Sequence, residues 1–420
     1  MKTHSTYTRS LAIPLVLLLF LLGACQPMPA APVADVQEGR LQVVGSHSIL
    51  TDVIANVAGD AADVTSVMPL GADPHSFQPT PSDLTALADA GVVFINGAFF
   101  EEGLLETIEN AADEMNIVTV SSCVEILAFG GHGDEHEEGE EHAHEEGEEH
   151  AGEESEAGDM SALAALCEQH YAEMKALHET GEDHAHEEGE EHEGEEAHAH
   201  VHVETLGALY AIDCGTDHGH EEEATNEEGH EEGAEDAHAH GACDPHVWME
   251  PHNVMYWIML IRDTLSELDP SNAETYAANA AAYLEELDAL AHDFVKPMVE
   301  TVPEENRVLI TNHDAFGYFA ARYEFEVVDT IIPSLSTLAE ASTEDVATVI
   351  DAIREQNIPA LFSETTVSDD LARQIADETG AEMYVLYSGS LSEADGPAST
   401  YVDYIRYNVT TIVEALGGGM

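Results

Sequence analysis

Between Gly130 and Gly241 the chain cannot build a packed core, and that interruption decides how everything else has to be organised. The stretch holds 38 acidic side chains against the single Lys175, together with 18 of the 25 histidines. A segment this charged buries too little apolar surface to offset the entropy of ordering it, so it is expected to be disordered. It carries about half of the formal net charge of -74. What remains is a moderately acidic chain in which 44% hydrophobic residues overall suffice for a sizeable core in roughly two domains. With 11 Lys plus Arg against 85 Asp plus Glu, nucleic acid is excluded as a partner, because phosphate binding depends on clustered cations.

The insertion has its own pattern. His142-Ala143-His144-Glu145-Glu146-Gly147-Glu148-Glu149-His150 recurs at His184-Ala185-His186-Glu187-Glu188-Gly189-Glu190-Glu191-His192, which points to an internal duplication. Neutral imidazoles alternating with carboxylates can assemble many weak, exchangeable zinc sites; a plain acidic spacer has no need of the alternation. Two less polar stretches, Ser161 to Leu177 and Val203 to Cys214, are expected to form local structure around Cys167 and Cys214.

At the N-terminus, Lys2 and Arg9 precede the apolar run Leu11 to Leu22, which is too short to span a bilayer and reads as an export signal. It ends in Leu22-Gly23-Ala24-Cys25, which resembles a bacterial lipobox and makes Cys25 the expected lipidation site. Residues 1–24 are then a signal peptide and 25–40 a Pro/Ala-rich tether to the outer face of the cytoplasmic membrane. Cys123, Cys167, Cys214 and Cys243 remain, an even number in an exported chain, which allows two disulfides. A nested pairing, Cys123 with Cys243 and Cys167 with Cys214, is the expected one of three connectivities; free thiols or metal ligation stay open.

Outside the insertion, β-branched runs alternate with helical patterns. Strands are expected at Leu41 to Val44, Val64 to Met68, Val92 to Asn96 and Ile117 to Val120. A second set follows at Val308 to Thr311, Phe325 to Asp329, Ala360 to Ser363 and Met383 to Tyr387. Helical segments between them include Ile49 to Ala58, Pro81 to Ala90, Glu101 to Glu114, Thr343 to Gln356 and Asp369 to Thr379. Four strands with interleaved helices, twice over, predict two parallel-sheet α/β lobes. From Asn272 to Lys296, Tyr276, Ala280, Tyr283, Leu284, Leu287 and Leu290 recur at helical spacing, and Pro297 is expected to close the segment. That is one rigid helix of roughly 40 Å joining the lobes. The boundaries are 41–129 for the first part of the N-terminal lobe and 130–241 for the insertion. Residues 242–270 complete that lobe, 271–300 form the linker helix and 301–420 the C-terminal lobe.

Ligands of open α/β sheets bind at the carboxyl ends of the strands. There the chain places Asp73-Pro74-His75-Ser76-Phe77-Gln78-Pro79-Thr80-Pro81-Ser82-Asp83, a loop stiffened by three prolines. A second Asp-Pro-His follows the insertion as Asp244-Pro245-His246-Val247-Trp248, and the fifth strand runs into Asn312-His313-Asp314-Ala315-Phe316-Gly317-Tyr318-Phe319. Three histidines on short constrained loops can meet in one cleft, and three imidazoles with one open position make a tetrahedral zinc site.

These three motifs, in this order, resemble those of the metal-specific solute-binding lipoproteins of bacterial ABC importers, the ZnuA-like zinc-uptake group, over nearly all of Leu41 to Leu416. The resemblance implies two α/β lobes joined by a long rigid helix, with the metal between them and His75, His246 and His313 as ligands. A binding protein alone moves nothing across a bilayer, so a separate permease and ATPase are the implied partners, with the protein expected to be a monomer on the lipid anchor at Cys25. Manganese-binding relatives usually carry Glu at the third position, so His313 favours zinc, Zn2+ being the cargo. Where many relatives place an Asp as fourth ligand, this chain reads Leu386-Tyr387-Ser388-Gly389-Ser390-Leu391, and Gly389 has no side chain to ligate with. Water is the expected fourth ligand, with Glu364 at the end of its strand or a residue lent by the insertion as alternatives. His47, just after the first strand, is a further option set against a simple loop or cap role, and His252 and His292 read as exposed helix residues. A zinc hydrolase is disfavoured, since the helical His-Glu-x-x-His signature is absent. A manganese- or iron-binding homologue and a surface adhesin or zinc sink remain the alternatives.

Overall fold

The computed structural model describes residues 39–104, 107, 115–127, 156–181, 243–339 and 341–417. The described residues from Leu41 onward form one compact unit. The export signal, Cys25, the tether, Val203 to Cys214 and the His/Glu repeats lie outside the described residues. Among the described residues no helix is long and apolar enough to cross a membrane.

The N-terminal lobe is a four-stranded parallel sheet of order β2-β1-β3-β4, made of β1 Leu41–Gly45, β2 Ala62–Ser66, β3 Val92–Ile95 and β4 Ile117–Thr119. Val43 pairs with Val64 on one side and Val92 on the other, so the central strand is covered on both edges and buried on both faces. That explains the near-continuous Val/Ile/Phe composition, as parallel sheets require. Helix α1, Ser48–Ala58, buries Ile49, Leu50, Val53, Ile54 and Val57 against this sheet. Helix α2, Pro81–Asp89, starts at a capping box in which Thr80 and Asp83 exchange side-chain and backbone hydrogen bonds. The Pro-Thr-Pro-Ser-Asp end of the first motif is therefore a helix start rather than metal chemistry.

Helix α3, Glu156–Gly181, covers and extends the Ser161 to Leu177 segment of the insertion. Three contacts tie it to the lobe. A disulfide joins Cys167 to Cys123. His170 Nε2 meets Asp263 Oδ2 at 2.8 Å, and Glu173 receives both terminal guanidinium nitrogens of Arg262 at 2.6 and 3.1 Å. The nested pairing expected from the sequence is thus corrected: the register of α3 on the lobe brings Cys167, not Cys243, to Cys123. Cys243 is itself disulfide-bonded.

Helix α4, Pro251–Leu268, packs with α1 and with α5, Ala273–Ala289. A π-helical turn, Leu290–Val295, and a last α turn, Lys296–Val299, continue α5. Pro297 does not end this helix. It sits in the last turn, where its missing N–H is accommodated by the widened turn before it. The continuous segment is about 40 Å long.

The C-terminal lobe holds two parallel pairs, β5 Val308–His313 with β6 Glu326–Ile332 and β7 Ala360–Glu364 with β8 Glu382–Leu386. Helices α6 Gly317–Tyr323, α7 Thr343–Gln356, α8 Asp370–Thr379 and α9 Tyr401–Ala415 accompany them. β5 lies beside β7, and at their carboxyl ends the two are spliced by a side chain, His313 N donating to Glu364 Oε1.

One apolar cluster runs through both lobes, from Val43 and Ile54 through Trp248, Trp257 and Tyr283 to Tyr404 and Ile412. Burying each such side chain is worth about 1.5–3 kcal/mol, and this shared core opposes wide separation of the lobes. Polar contacts add to it. Trp248 Nε1 donates to Ser388 O, Tyr318 OH to Asp244 O, Leu391 N to Ser48 Oγ and Thr337 Oγ1 to Asp73 Oδ2.

Candidate metal centre

His75 lies on the Pro-rich loop after β2, His246 leads into a short helical turn before α4, and His313 is the last residue of β5. The fold brings all three together at the lobe interface, 3%, 1% and 2% exposed. His246 Nε2 is 3.4 Å from His75 Nε2 and 3.3 Å from His313 Nε2. One ligand atom from each lies within 4.8 Å of the others. For metal–nitrogen bonds of about 2.0–2.1 Å, the edge of a tetrahedron is about 3.3 Å.

Every ring turns its other nitrogen to a carboxylate. His75 Nδ1 meets Glu102 at 3.0 Å, His246 Nδ1 meets Asp244 at 2.8 Å and His313 Nδ1 meets Glu364 at 2.9 Å. An ionised carboxylate can only accept, so each Nδ1 carries a proton, and each ring in its neutral form presents an Nε2 lone pair to the same point. Three converging lone pairs repel one another unless a cation takes them.

The two Asp-Pro-His loops reach this arrangement differently. Asp244 Oδ1 accepts from both the backbone N–H and the Nδ1 of His246. Asp73 Oδ1 accepts only the backbone N–H of His75, while its Oδ2 serves Ser76 and, across the interface, Thr337. Glu102 fills the gap from a strained loop in which Ala98 and Phe99 take positive φ. Buried Glu101 anchors that loop by accepting from Asn96 N at 2.6 Å, Gly97 N at 3.2 Å and Ser46 Oγ at 2.7 Å. At Gly103 a Cβ would lie 1.8 Å from the carbonyl oxygen of Phe77, so nothing larger fits beside Glu102.

The protonation pattern follows from burial and charge. Burial, and then the neighbouring His313 and His75, hold His246 well below the usual histidine range. Burial opposes charge on His313 too, but the Glu364 carboxylate outweighs it and raises the His313 pKa. The same ion pair keeps Glu364 below the usual carboxylate range despite burial.

Glu364, a proposed fourth ligand, lies on the Nδ1 side of His313 and is not among the residues whose ligand atoms converge. Gly389 packs against Pro74: a Cβ there would lie 2.9 Å from Pro74 Cδ. The missing side chain lets the C-terminal-lobe loop close on the first Asp-Pro-His loop. His47 is buried near the centre but outside it, its Nδ1 3.0 Å from Ser46 Oγ and its ring against Phe100 and Trp248. Burial lowers its pKa to about 3, so it is a neutral wall residue. Sequence reasoning missed Glu102 and the orienting role of Asp244. The Asp two places before His246 was a readable signal for the second, whereas nothing in the sequence connects Glu102 to His75.

Residues 43–415 match the family described as zinc-uptake complex component A, periplasmic. The chain belongs to this family. Among its relatives, the manganese-binding lipoprotein of Halalkalibacterium halodurans is 27% identical over 377 residues, covering 90% of this chain and 88% of that one. The iron-binding protein of Yersinia pestis is 27% identical over 379 residues, covering 90% and 87%. A manganese-bound periplasmic metal-binding protein of Candidatus Liberibacter asiaticus superposes with a TM-score of 0.59 at 25% identity, covering 90% of this chain and 100% of that one. The periplasmic zinc-binding protein of Treponema pallidum gives 0.60 at 21% identity over 90% and 99%, a likeness of fold. The family consists of solute-binding components of metal importers, not enzymes.

Proposed function

We propose that this chain is the zinc-binding component of an ABC importer, capturing Zn2+ at His75, His246 and His313 and delivering it to a separate permease and ATPase. The observation that carries the reading is the trio of Nε2 lone pairs, two of whose separations, 3.4 and 3.3 Å, match the edge of a tetrahedron with zinc–nitrogen bonds. An all-nitrogen set favours zinc over manganese, which prefers oxygen. Water completes the shell, Glu364 acting through His313. The protein works as a monomer held to the outer face of the cytoplasmic membrane through Cys25, in keeping with relatives described as lipoproteins. The His/Glu-rich insertion gathers or senses zinc.

A second reading, manganese or iron as cargo, draws on the relatives' described metals. Competition titration of the purified chain decides between them. Zinc should bind at least tenfold more tightly than manganese or iron(II), and the reverse order would overturn the zinc assignment. Deleting residues 130–241 should lower the number of zinc ions bound while one tight site stays; loss of tight binding with the loop would refute the three-histidine site. An adhesin or zinc sink predicts no growth defect in zinc-limited medium after gene loss, whereas an importer component predicts one.

A further inference from the structure

We infer that the chain holds a second metal site, built from His178 of α3, His252 of α4, and Asp288 and His292 of the linker helix, which takes a zinc-like divalent cation. Among the described residues, two groups bring three or more ligand atoms within 4.8 Å of one another, and this is the one that is not the interlobe centre.

The three rings form a closed triangle. Centroid separations are 5.3 Å for His178 and His252, 5.5 Å for His178 and His292, and 5.3 Å for His252 and His292, with the planes near perpendicular. The interlobe histidines stand 5.5, 5.8 and 5.1 Å apart, so the two triangles have the same dimensions. Asp288 Oδ1 lies 3.5 Å from His178 Nε2 and 3.1 Å from His292 Nδ1. Three imidazoles and one carboxylate oxygen make a four-ligand set of the kind zinc takes.

The orientation of His252 singles out a ligand role. Its Nδ1 is held by Glu250 at 2.6 Å, and its Nε2 is buried without a hydrogen-bond partner. This is the same carboxylate-to-imidazole device that aims the three interlobe histidines. His178 Nε2 and Asp288 Oδ1 also lack hydrogen bonds. A buried polar atom left unpaired is unfavourable, and here three of them face one another. A cation between them satisfies all three at once. Asp288 and His292 share one helix face at i and i+4, as ligand pairs on helices do. His178 and His292 are 41% and 43% exposed, leaving an open route from solvent.

The site's place suggests its use. His178 ends the described side chains of α3, and the His/Glu repeat resumes at His184. Cys167, His170 and Glu173 already fasten the middle of α3 to the N-terminal lobe. A metal at His178 pins its far end to the linker helix, so that zinc gathered by the insertion orders its own root.

The test uses the full chain in four forms: wild type, H178A/H292A, H75A/H246A/H313A, and the two sets combined. Crystals grown with a small excess of zinc should give an anomalous peak between His178, His252, Asp288 and His292 in the wild type and in the triple variant. The double variant should lose that peak, keep the interlobe one, and bind one ion fewer. Hydrogen exchange in the last turns of α3 should slow at least tenfold on adding zinc, and not in the double variant. Absence of a peak at these residues in wild-type crystals whose interlobe site is filled would overturn the inference, as would an unchanged stoichiometry in H178A/H292A. Loss of the interlobe peak alone would instead strike at the proposed function.

Discussion

Replacing Glu364 by Gln keeps the shape of the side chain, removes its charge, and should produce two effects of opposite sign. Glu364 is buried and accepts from both the backbone N–H and the Nδ1 of His313, at 3.2 and 2.9 Å. The carboxylate makes Nε2 a stronger base and fixes the ring. Removing such a partner typically costs about 10–100-fold in metal affinity, which is about 1.4–2.7 kcal/mol. Protons compete for the same Nε2, however, and Glu364 raises the His313 pKa. In the wild type, each pH unit below that pKa should cost up to about tenfold in affinity. In E364Q the His313 pKa falls, so this decline starts at lower pH and the gap between the two proteins narrows on acidification. Competition titration with a chromophoric chelator across acidic and neutral pH measures both effects, and X-ray absorption at the metal edge counts nitrogen and oxygen neighbours. Equal affinity at every pH would refute the orienting role, and loss of an oxygen neighbour in E364Q would show that the carboxylate binds the metal directly.

Four other outcomes are expected. His75→Ala, His246→Ala and His313→Ala should each abolish the tight site; if all three bound zinc as the wild type does, the assignment would be wrong. Gly389→Ala forces a Cβ within 2.9 Å of Pro74 Cδ and should destabilise by about 1–3 kcal/mol, read as a lowered denaturant midpoint. His47 has a folded pKa of about 3 against about 6.5 unfolded, so its contribution is complete above pH 6.5 and lost as pH falls toward 3. The slope is about 1.4 kcal/mol per pH unit, and His47→Gln should flatten the acid limb of the stability curve by that one proton. Replacing Cys123 and Cys167 by Ala opens a loop of 44 residues, at a cost of about 4 kcal/mol by chain entropy. Thermal or denaturant unfolding with and without reductant measures it.

Much of this was legible before any coordinates, and for identifiable reasons. Parallel strands buried on both faces must be runs of Val, Ile and Leu, so β1, β3 and β5 announce themselves, and the capping residues Thr80 and Ser342 mark where α2 and α7 begin. The first Asp-Pro-His loop and His313 could be found because strand ends in such sheets line the ligand crevice, and the second Asp-Pro-His because it repeats the first at a helix entry. Glu102 could not be found, because its position depends on positive-φ residues and on the contact of Gly103 with Phe77, neither of which has a sequence periodicity. His252 and His292 read as exposed helix residues, yet His252 is 12% exposed, since α3 folds back over it.

The alternation of strands and helices, the interruption by a segment too polar to fold alone, and the candidacy of three loop histidines were all readable in the residue pattern. Those are consequences of local pattern and backbone constraint. Only tertiary packing decided which carboxylate faces which imidazole, how closely Gly389 packs on Pro74, which cysteine meets Cys123, and that four residues from three helices converge at the root of the insertion. These depend on distances between segments far apart in the chain, and such distances exist only once the shared core has packed.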